Sequence, residues 1–324
     1  MVPLALIREV RRTLGLGWPL ALAELGWMGN YLIDAAMIGR LPDNANAIAA
    51  STLAGSLYGP VLFCGVGWIA GVNTLVAQAH GAQQTERGVR VLMQALWLIA
   101  VWIPLTHALM QLTRPLLVWD GVEANLIGPA IDYLDASVWA TAPLLLALAL
   151  RQYLQSVGRT FCIFVALLVS NLVNVFADWA LMFGHCGSPP LGLVGAAWAN
   201  VLVRLSMLLV LVVAFLWHLR VDRIRIVPEM IPPQVQTLRE LLKLGWAPAI
   251  QTFFDLGVSS YQGLLCGQLG AVAVAVNTVV LDVSAFVYMF SAGMAAAMGA
   301  LVGHAFGLRD LVLVTQTLDA PRGG

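Results

Sequence analysis

The sequence predicts an all-α bundle of membrane-spanning helices, and three observations carry that prediction. Of 324 residues, 60% are hydrophobic and only 10% charged, with a mean hydropathy of +0.84; soluble domains hold about 25% charged residues. Apolar stretches near the roughly 20 residues needed to cross a bilayer recur along the whole chain. The same pair of hydrophobic segments also occurs twice, an internal repetition typical of proteins built from two related membrane halves. Residues Leu14-Gly15-Leu16-Gly17-Trp18-Pro19-Leu20-Ala21 return as Leu242-Lys243-Leu244-Gly245-Trp246-Ala247-Pro248-Ala249, an offset of 228. Further on the offset becomes 226, where Thr52, Gly67, Ala70, Leu75, Val76, Ala79 and Gly81 meet Thr278, Gly293, Ala296, Leu301, Val302, Ala305 and Gly307. The two-residue slip falls in the connection between the paired segments, where length changes are tolerated.

Taken in order, the predicted spans are 14–38, 48–76, 89–112, 127–150, 161–183, 191–217, 241–268 and 271–303. Turn chemistry separates them: Pro42-Asp43-Asn44, Gly81-Ala82-Gln83, Gly158-Arg159 and Gly187-Ser188-Pro189-Pro190. The longest polar run, 218–240, contains Pro232-Pro233-Gln234 and reads as a linker. The organisation expected is therefore an N-terminal six-helix lobe at 1–217, a cytoplasmic inter-lobe linker at 218–240, a partial second lobe at 241–310 and an atypical tail at 311–324. Six spans precede the linker and two follow it, and the tail from Thr315 to Gly324 has lost the apolar pattern of its counterpart Val91 to Leu98. The second half reads as cut short, by fragmentation, a frameshift or a premature stop.

Charge fixes the expected orientation. With the N-terminus inside, 14 of the 17 basic residues fall on the inner face: Arg8, Arg11, Arg12, Arg87, Arg90, Arg151, Arg159, Arg220, Arg223, Arg225, Arg239, Lys243, Arg309 and Arg322. Both termini are then cytoplasmic. The first 12 residues carry no h-region and no cleavage site, so the first span serves as its own insertion signal. Cys64, Cys162, Cys186 and Cys266 show no metal-ligand or redox spacing and read as packing residues. Basic residues are scattered without aromatic interleaving, which gives nucleic-acid binding no support. No nucleophile, phosphate loop or metal-ligand cluster points to an enzyme or a cofactor.

A few acids lie inside the spans, where a central Asp costs about 2.5–3.5 kcal/mol on insertion scales. Asp34 follows Pro19, a proline expected to bend its helix by removing a backbone donor. It reads either as a functional carboxylate or as an acid near the helix end that snorkels to water. Asn174 and Asp178 are four apart and share one face of the fifth span. A carboxylate beside an amide can hold a proton or small cation while hydrogen-bonded, and the alternative is ordinary interhelical glue. Glu24, Asp282 and the mid-helix Arg204 read as structural, with Arg204 a partner for one of these acids. Trp27, Trp68 and Phe254 either line a cavity for planar cations or anchor the chain at the lipid interface.

Five sequence stretches together resemble the multidrug and toxic compound extrusion (MATE) family, closest in character to its bacterial drug/cation antiporters. They are Gly17-Trp18-Pro19-Leu20, Asp34-Ala35-Ala36-Met37-Ile38-Gly39-Arg40, Ala77-Gln78-Ala79-His80-Gly81-Ala82, Gln152-Tyr153-Leu154-Gln155-Ser156-Val157-Gly158-Arg159-Thr160 and Gly192-Leu193-Val194-Gly195-Ala196-Ala197-Trp198-Ala199-Asn200. Their order and spacing carry the resemblance. It implies twelve helices in two six-helix lobes around a central cavity, of which six and then two are present here. It also implies export of amphipathic organic cations driven by inward H+ or Na+, from the bacterial inner membrane. In the resemblance Asp34 matches the first-helix carboxylate that takes up the coupling ion, Pro19 the helix-bending proline, and Asn174 and Asp178 the polar pair of the same site, with a possible Na+ at Asp34, Asn174 and Asp178. Asn200 stands where proton-coupled members carry Thr, leaving H+ and Na+ both open. Phe253-Phe254-Asp255 resembles a seventh-helix segment of drug/Na+ antiporters, which makes Asp255 the matching acid. Two alternatives remain: a non-transporting truncated remnant of such a transporter, and a lipid-linked oligosaccharide flippase of the same superfamily. The partners implied are the lipid bilayer and a small organic cation; the oligomeric state is open.

Overall fold

The computed structural model describes residues 4–119, 124–187, 189–224, 227–268 and most of 280–303. The expected tail at 311–324, Asp282, and the expected eighth span over 271–279 lie outside the described residues. Every regular element among the described residues is helical: α1 (Leu4–Ile38), α2 (Asn44–Gly81), α3 (Thr85–Trp119), α4 (Ala124–Val138), α5 (Thr141–Ser156), α6 (Thr160–Phe183), α7 (Gly192–Val221) and α8 (Val235–Gln268), with one short 3-10 turn at Pro228–Met230. The described parts of 280–303 are helical as well. An all-α membrane bundle is the fold class expected.

Among the described residues, four helical stretches are each long and apolar enough to span a membrane: Ala45–Gly81, Thr85–Leu112, Thr160–Phe183 and Gly192–Val221. The span expected at 127–150 is a bent pair of helices, α4 and α5, that together are long and apolar enough to cross and that meet at 42°. Pro143, in the first turn of α5, supplies the reason: it offers no N–H to the carbonyl four residues earlier, at Trp139, and its ring crowds that carbonyl. α1 and α8 are helical over the expected 14–38 and 241–268 but are more polar, since Glu24, Asn30 and Asp34 lie within the first and Lys243, Gln251 and Asp255 within the second. α1 runs through Pro19 as one continuous helix.

The helices are turned inside out relative to those of a soluble protein. On α6, Leu172 and Phe176 are exposed whereas Asn174 and Asp178 are fully buried, and on α7 Leu209 and Val213 point outward. Apolar faces meet lipid, and polar groups pair inside, as a bilayer requires. The core of the first half gathers Leu20, Leu92, Ile99, Tyr153, Leu167 and Met207. α6 packs against α7 and α1, and α2 packs against α3, α5 and α8. Cys64 and Cys162 are half-buried and free, whereas Cys186 is exposed, so the packing role expected of the cysteines does not extend to Cys186.

The repeat in the sequence is also a repeat in space. A methyl group on Gly67 of α2 would stand 2.5 Å from Ala249 Cα of α8, and one on Gly293 would stand 2.4 Å from Ala21 Cα of α1. Gly67 and Gly293 are repeat partners at offset 226, as are Ala21 and Ala249 at offset 228. The two contacts are therefore one contact made twice, with the roles of the halves exchanged. Glycine is required at both points because the backbones approach too closely for any side chain.

The polar connection between the halves is tied down by α3. Gln94, fully buried, donates from Nε2 to the carbonyls of Met230 (3.3 Å) and Pro232 (2.9 Å) and accepts from the Gln234 N–H (2.7 Å). Trp97 Nε1 donates to Ile231 O at 2.7 Å.

Candidate functional site

Four of the residues singled out in the sequence meet at one point. Asp34 lies near the C-terminal end of α1, Asn174 and Asp178 one turn apart on α6, and Asn200 on α7. Asn174 donates from Nδ2 to Asp34 Oδ1 at 2.7 Å and to Asp178 Oδ2 at 3.3 Å, so one amide bridges two carboxylates. Asn200 Nδ2 donates to Asp34 Oδ2 at 2.7 Å. Each oxygen of Asp34 thus accepts a hydrogen bond from a different helix, and α1, α6 and α7 are cross-linked through it.

Helix periodicity explains the meeting. Asn171, Asn174 and Asp178 recur at i, i+3 and i+7 and form one polar stripe on α6. The facing stripe on α1 begins with small residues: Asn171 donates from Nδ2 to Gly26 O at 3.1 Å, and a methyl at Gly29 would lie 3.0 Å from Asn171 Oδ1. The glycines let the helices close at one end, and the acid–amide cluster fills the other. Asn171 was not singled out in the sequence, although its spacing from Asn174 and Asp178 is the signal for it. Asn30, one turn before Asp34 and 5% exposed, was missed too; both of its side-chain polar atoms are buried without a partner.

Two acceptors in the cluster are likewise unused. Asn174 Oδ1 and Asp178 Oδ1 are buried and have no hydrogen-bond partner. Buried acceptors are ordinarily satisfied, so these two orphan oxygens, one of an amide and one of the Asp178 carboxylate itself, mark a place for a donor or a cation. The available atoms are all hard oxygens, which suit a proton or an s-block cation and not a soft transition metal.

The cluster opens onto a cavity of about 220 Å³ whose lining includes Asp34, Tyr58, Tyr133, Ser137, Asn200 and Arg204. Tyr58 and Thr141 share a hydrogen bond between their hydroxyls at 2.8 Å. Arg204 lies one turn beyond Asn200 on α7, and its guanidinium stacks over the Trp27 ring with Cζ 4.5 Å from the centroid. Of the two acids expected as partners for Arg204, Asp282 lies outside the described residues and Glu24 is engaged elsewhere. Glu24 pairs with Arg151 of α5, and Arg151, expected in a cytoplasmic loop, is a buried residue of that helix. Trp27 packs on Arg204 but is not among the described residues that line the cavity, and Phe254 is exposed on α8.

Asp255 does not join the cluster. It lies on an exposed face of α8 and is not among the described residues that line the cavity. A larger depression of about 890 Å³ lies at the helix ends around Gln84, Arg90, Asp222 and Glu240. There Arg87, Arg90 and Arg223 are balanced by Glu86, Asp222 and Glu240, and it is a polar surface groove.

Known proteins share both sequence and fold with this chain. The multidrug resistance protein NorM of Vibrio cholerae is 29% identical over 304 residues, covering 94% of this chain and 66% of its own length. A probable multidrug resistance protein NorM of Bradyrhizobium diazoefficiens is 31% identical over 313 residues, covering 95% and 66%. The chain therefore spans about two thirds of the length of these relatives. A solved structure of a MOP superfamily transporter from Pyrococcus furiosus, described as having a binding pocket of reverse polarity, superposes with a TM-score of 0.81 at 19% identity over 99% of this chain and 71% of that one, which establishes a shared fold. The MatE family model matches residues 19–180 and 249–320, and so takes in most of both copies of the internal repeat. Over most of its length, then, this chain belongs to the MatE family.

Proposed function

We propose that the protein is an integral membrane antiporter, not an enzyme, that exports amphipathic organic cations in exchange for H+ or Na+, and that Asp34, Asn174, Asp178 and Asn200 form its coupling-ion site. The single observation that carries this reading is the pair of buried orphan acceptors, Asn174 Oδ1 and Asp178 Oδ1, in a cluster where one amide bridges the Asp34 and Asp178 carboxylates. A cation entering there neutralises mutual repulsion between Asp34 and Asp178 and satisfies both oxygens. Each positive charge that crosses with the membrane potential contributes about 2.3 kcal/mol per 100 mV. Because Asp34 joins three helices, a change in its charge alters how α1, α6 and α7 are held together. Such a change shifts the balance between two bundle conformations by the difference in ion affinity between them. The NorM names of the relatives support drugs as the exported class. The charge bias of the loops supports an inner-membrane topology with both termini in the cytoplasm. Asp255 and Pro19 act, in this reading, on substrate binding and on the bending of α1.

The test is ion binding by the purified full chain in lipid nanodiscs. Titration with Na+, and proton release on adding it at fixed pH, should give a saturable signal that Asp34→Asn and Asp178→Asn abolish while the circular-dichroism spectrum is unchanged. Undiminished ion binding by Asp34→Asn refutes the assignment. A response to pH without a response to Na+ selects the proton as the coupling ion.

A further inference from the structure

The connection between the halves carries an arrangement that the ion site leaves unused. Residues 230–234 lie along α3 as a strap, held by three hydrogen bonds to the fully buried Gln94 and one from Trp97. Two depressions flank it, and α3 and the strap form a wall of each. One is the polar groove of about 890 Å³, whose lining includes Arg87, Arg90, Arg223 and Gln234. The other is an apolar groove of about 250 Å³ lined by Met93, Leu96, Trp97, Ala100 and Ile231. Arg90, Met93, Trp97 and Ala100 recur at i, i+3, i+7 and i+10 and so share one face of α3. At 1.5 Å per residue, that stripe runs about 15 Å from a cation to a purely apolar surface.

Pairing leaves the cations of the polar groove open. Formal charges there balance, but Asp222 is taken by Arg159 (3.3 Å) and by His218 (3.0 Å). Among the described residues, Arg87, Arg90 and Arg223 enter no ion pair, so Glu86 and Glu240 do not neutralise them by contact. Arg90 Nε is buried with no hydrogen-bond partner. A buried donor is ordinarily satisfied, and the planar fork of a guanidinium fits the oxygens of a phosphate. Trp97 and Ile231, 43% and 50% exposed, present apolar surface farther along the same notch.

We infer that this notch binds an anionic phospholipid: Arg90, with Arg87 beside it, holds the phosphodiester, and one acyl chain lies along Met93, Trp97 and Ala100 against Ile231. The polar groove alone suits any phosphate, and the apolar groove alone suits any lipid chain. Their continuity along one helix stripe selects a single molecule that has both. Basic pockets between membrane helices attract anionic headgroups, and the polar groove has the volume of a ligand site, roughly 300–1,000 Å³. The bound lipid bridges α3 and the strap, and so holds the connection between the halves in place. None of this depends on the export reading or on the ion site.

Native mass spectrometry of the full chain, released from detergent micelles, tests the inference. The probes are phosphatidylglycerol, phosphatidylcholine with the same acyl chains, and free glycerol 3-phosphate. The wild type should bind phosphatidylglycerol roughly 10-fold or more tightly than phosphatidylcholine, and glycerol 3-phosphate far more weakly than either lipid. Arg90→Gln should lower the affinity for phosphatidylglycerol roughly 10- to 100-fold, the range for a hydrogen bond to a charged group, and leave phosphatidylcholine unchanged. Arg220→Gln removes an exposed cation of α7 that does not line the groove, and it should change nothing. Ala100→Trp fills the apolar groove, keeps every arginine, and should weaken both lipids. Equal binding of the two lipids by the wild type overturns the inference, even if Arg90→Gln fails to fold. Equal losses in Arg220→Gln and Arg90→Gln overturn it by showing general attraction to a basic surface. Undiminished lipid binding by Ala100→Trp overturns it too, as does glycerol 3-phosphate binding as tightly as the lipid, which marks a site for free phosphate.

Discussion

Replacing Glu24 by Gln should destabilise the bundle more than any surface change, and replacing Arg151 as well should restore most of the loss. The two side chains form an ion pair between α1 and α5 with only 18% and 10% of their surfaces exposed. Removing one member of a buried pair leaves the other charge desolvated and alone, which costs about 3–5 kcal/mol. The residual exposure of Glu24 lets water reach the site and places the expectation near the lower end, at about 3 kcal/mol for either Glu24→Gln or Arg151→Met. The double variant has no buried charge left to compensate, and exchanging both members for uncharged groups is often neutral or stabilising. With about 1 kcal/mol left in the double variant, the coupling energy from the cycle should therefore reach about 5 kcal/mol, beyond the usual range for contacting pairs. The assay is reversible unfolding in mixed micelles, followed by tryptophan fluorescence for the wild type, both single variants and the double. Single variants within about 0.5 kcal/mol of wild type, or losses that simply add, would refute the argument.

Three other outcomes are expected. Gly67→Val and Gly293→Val should each lower the thermal midpoint, because a side chain at 2.5 Å or 2.4 Å from a backbone Cα forces the helices apart at a typical overpacking penalty of about 1–3 kcal/mol; the similarity of the two effects tests the spatial repeat, and a silent Gly293→Val would contradict it. Gln94→Leu removes both side-chain donors and the acceptor that hold 230–234, so limited proteolysis of that connection should accelerate while the helices resist, and unchanged cleavage would show that Trp97 suffices. A topology reporter inserted after Arg223 should report cytoplasm and one at Gly187 the opposite face, as the positive-inside bias demands; an external signal at 223 would invert the orientation.

Most of the helices and the Asn174–Asp178 pair of the site were legible in the sequence, because both rest on local periodicity, whereas only the family resemblance joined Asp34 and Asn200 to that pair. Apolar runs specify helices wherever the bilayer leaves no other partner for the backbone. Asn174 and Asp178 had to share a face because four residues nearly complete a turn. The repeat offsets of 228 and 226 were visible without coordinates, and they correctly paired Gly67 with Gly293 and Ala21 with Ala249. What the sequence could not supply was how each helix is rotated about its axis against its neighbours, since that depends on packing between residues far apart in the chain. Rotation decides that Glu24 meets Arg151 and not Arg204, that Arg204 meets Trp27, and that Asp34, 140 residues from Asn174 in sequence, takes its amide proton. The break between α4 and α5 was hidden for a related reason. Pro143 allows either a first-turn proline or a kinked continuous helix, and the packing of α4 and α5 against α2 and α7 selects the 42° bend.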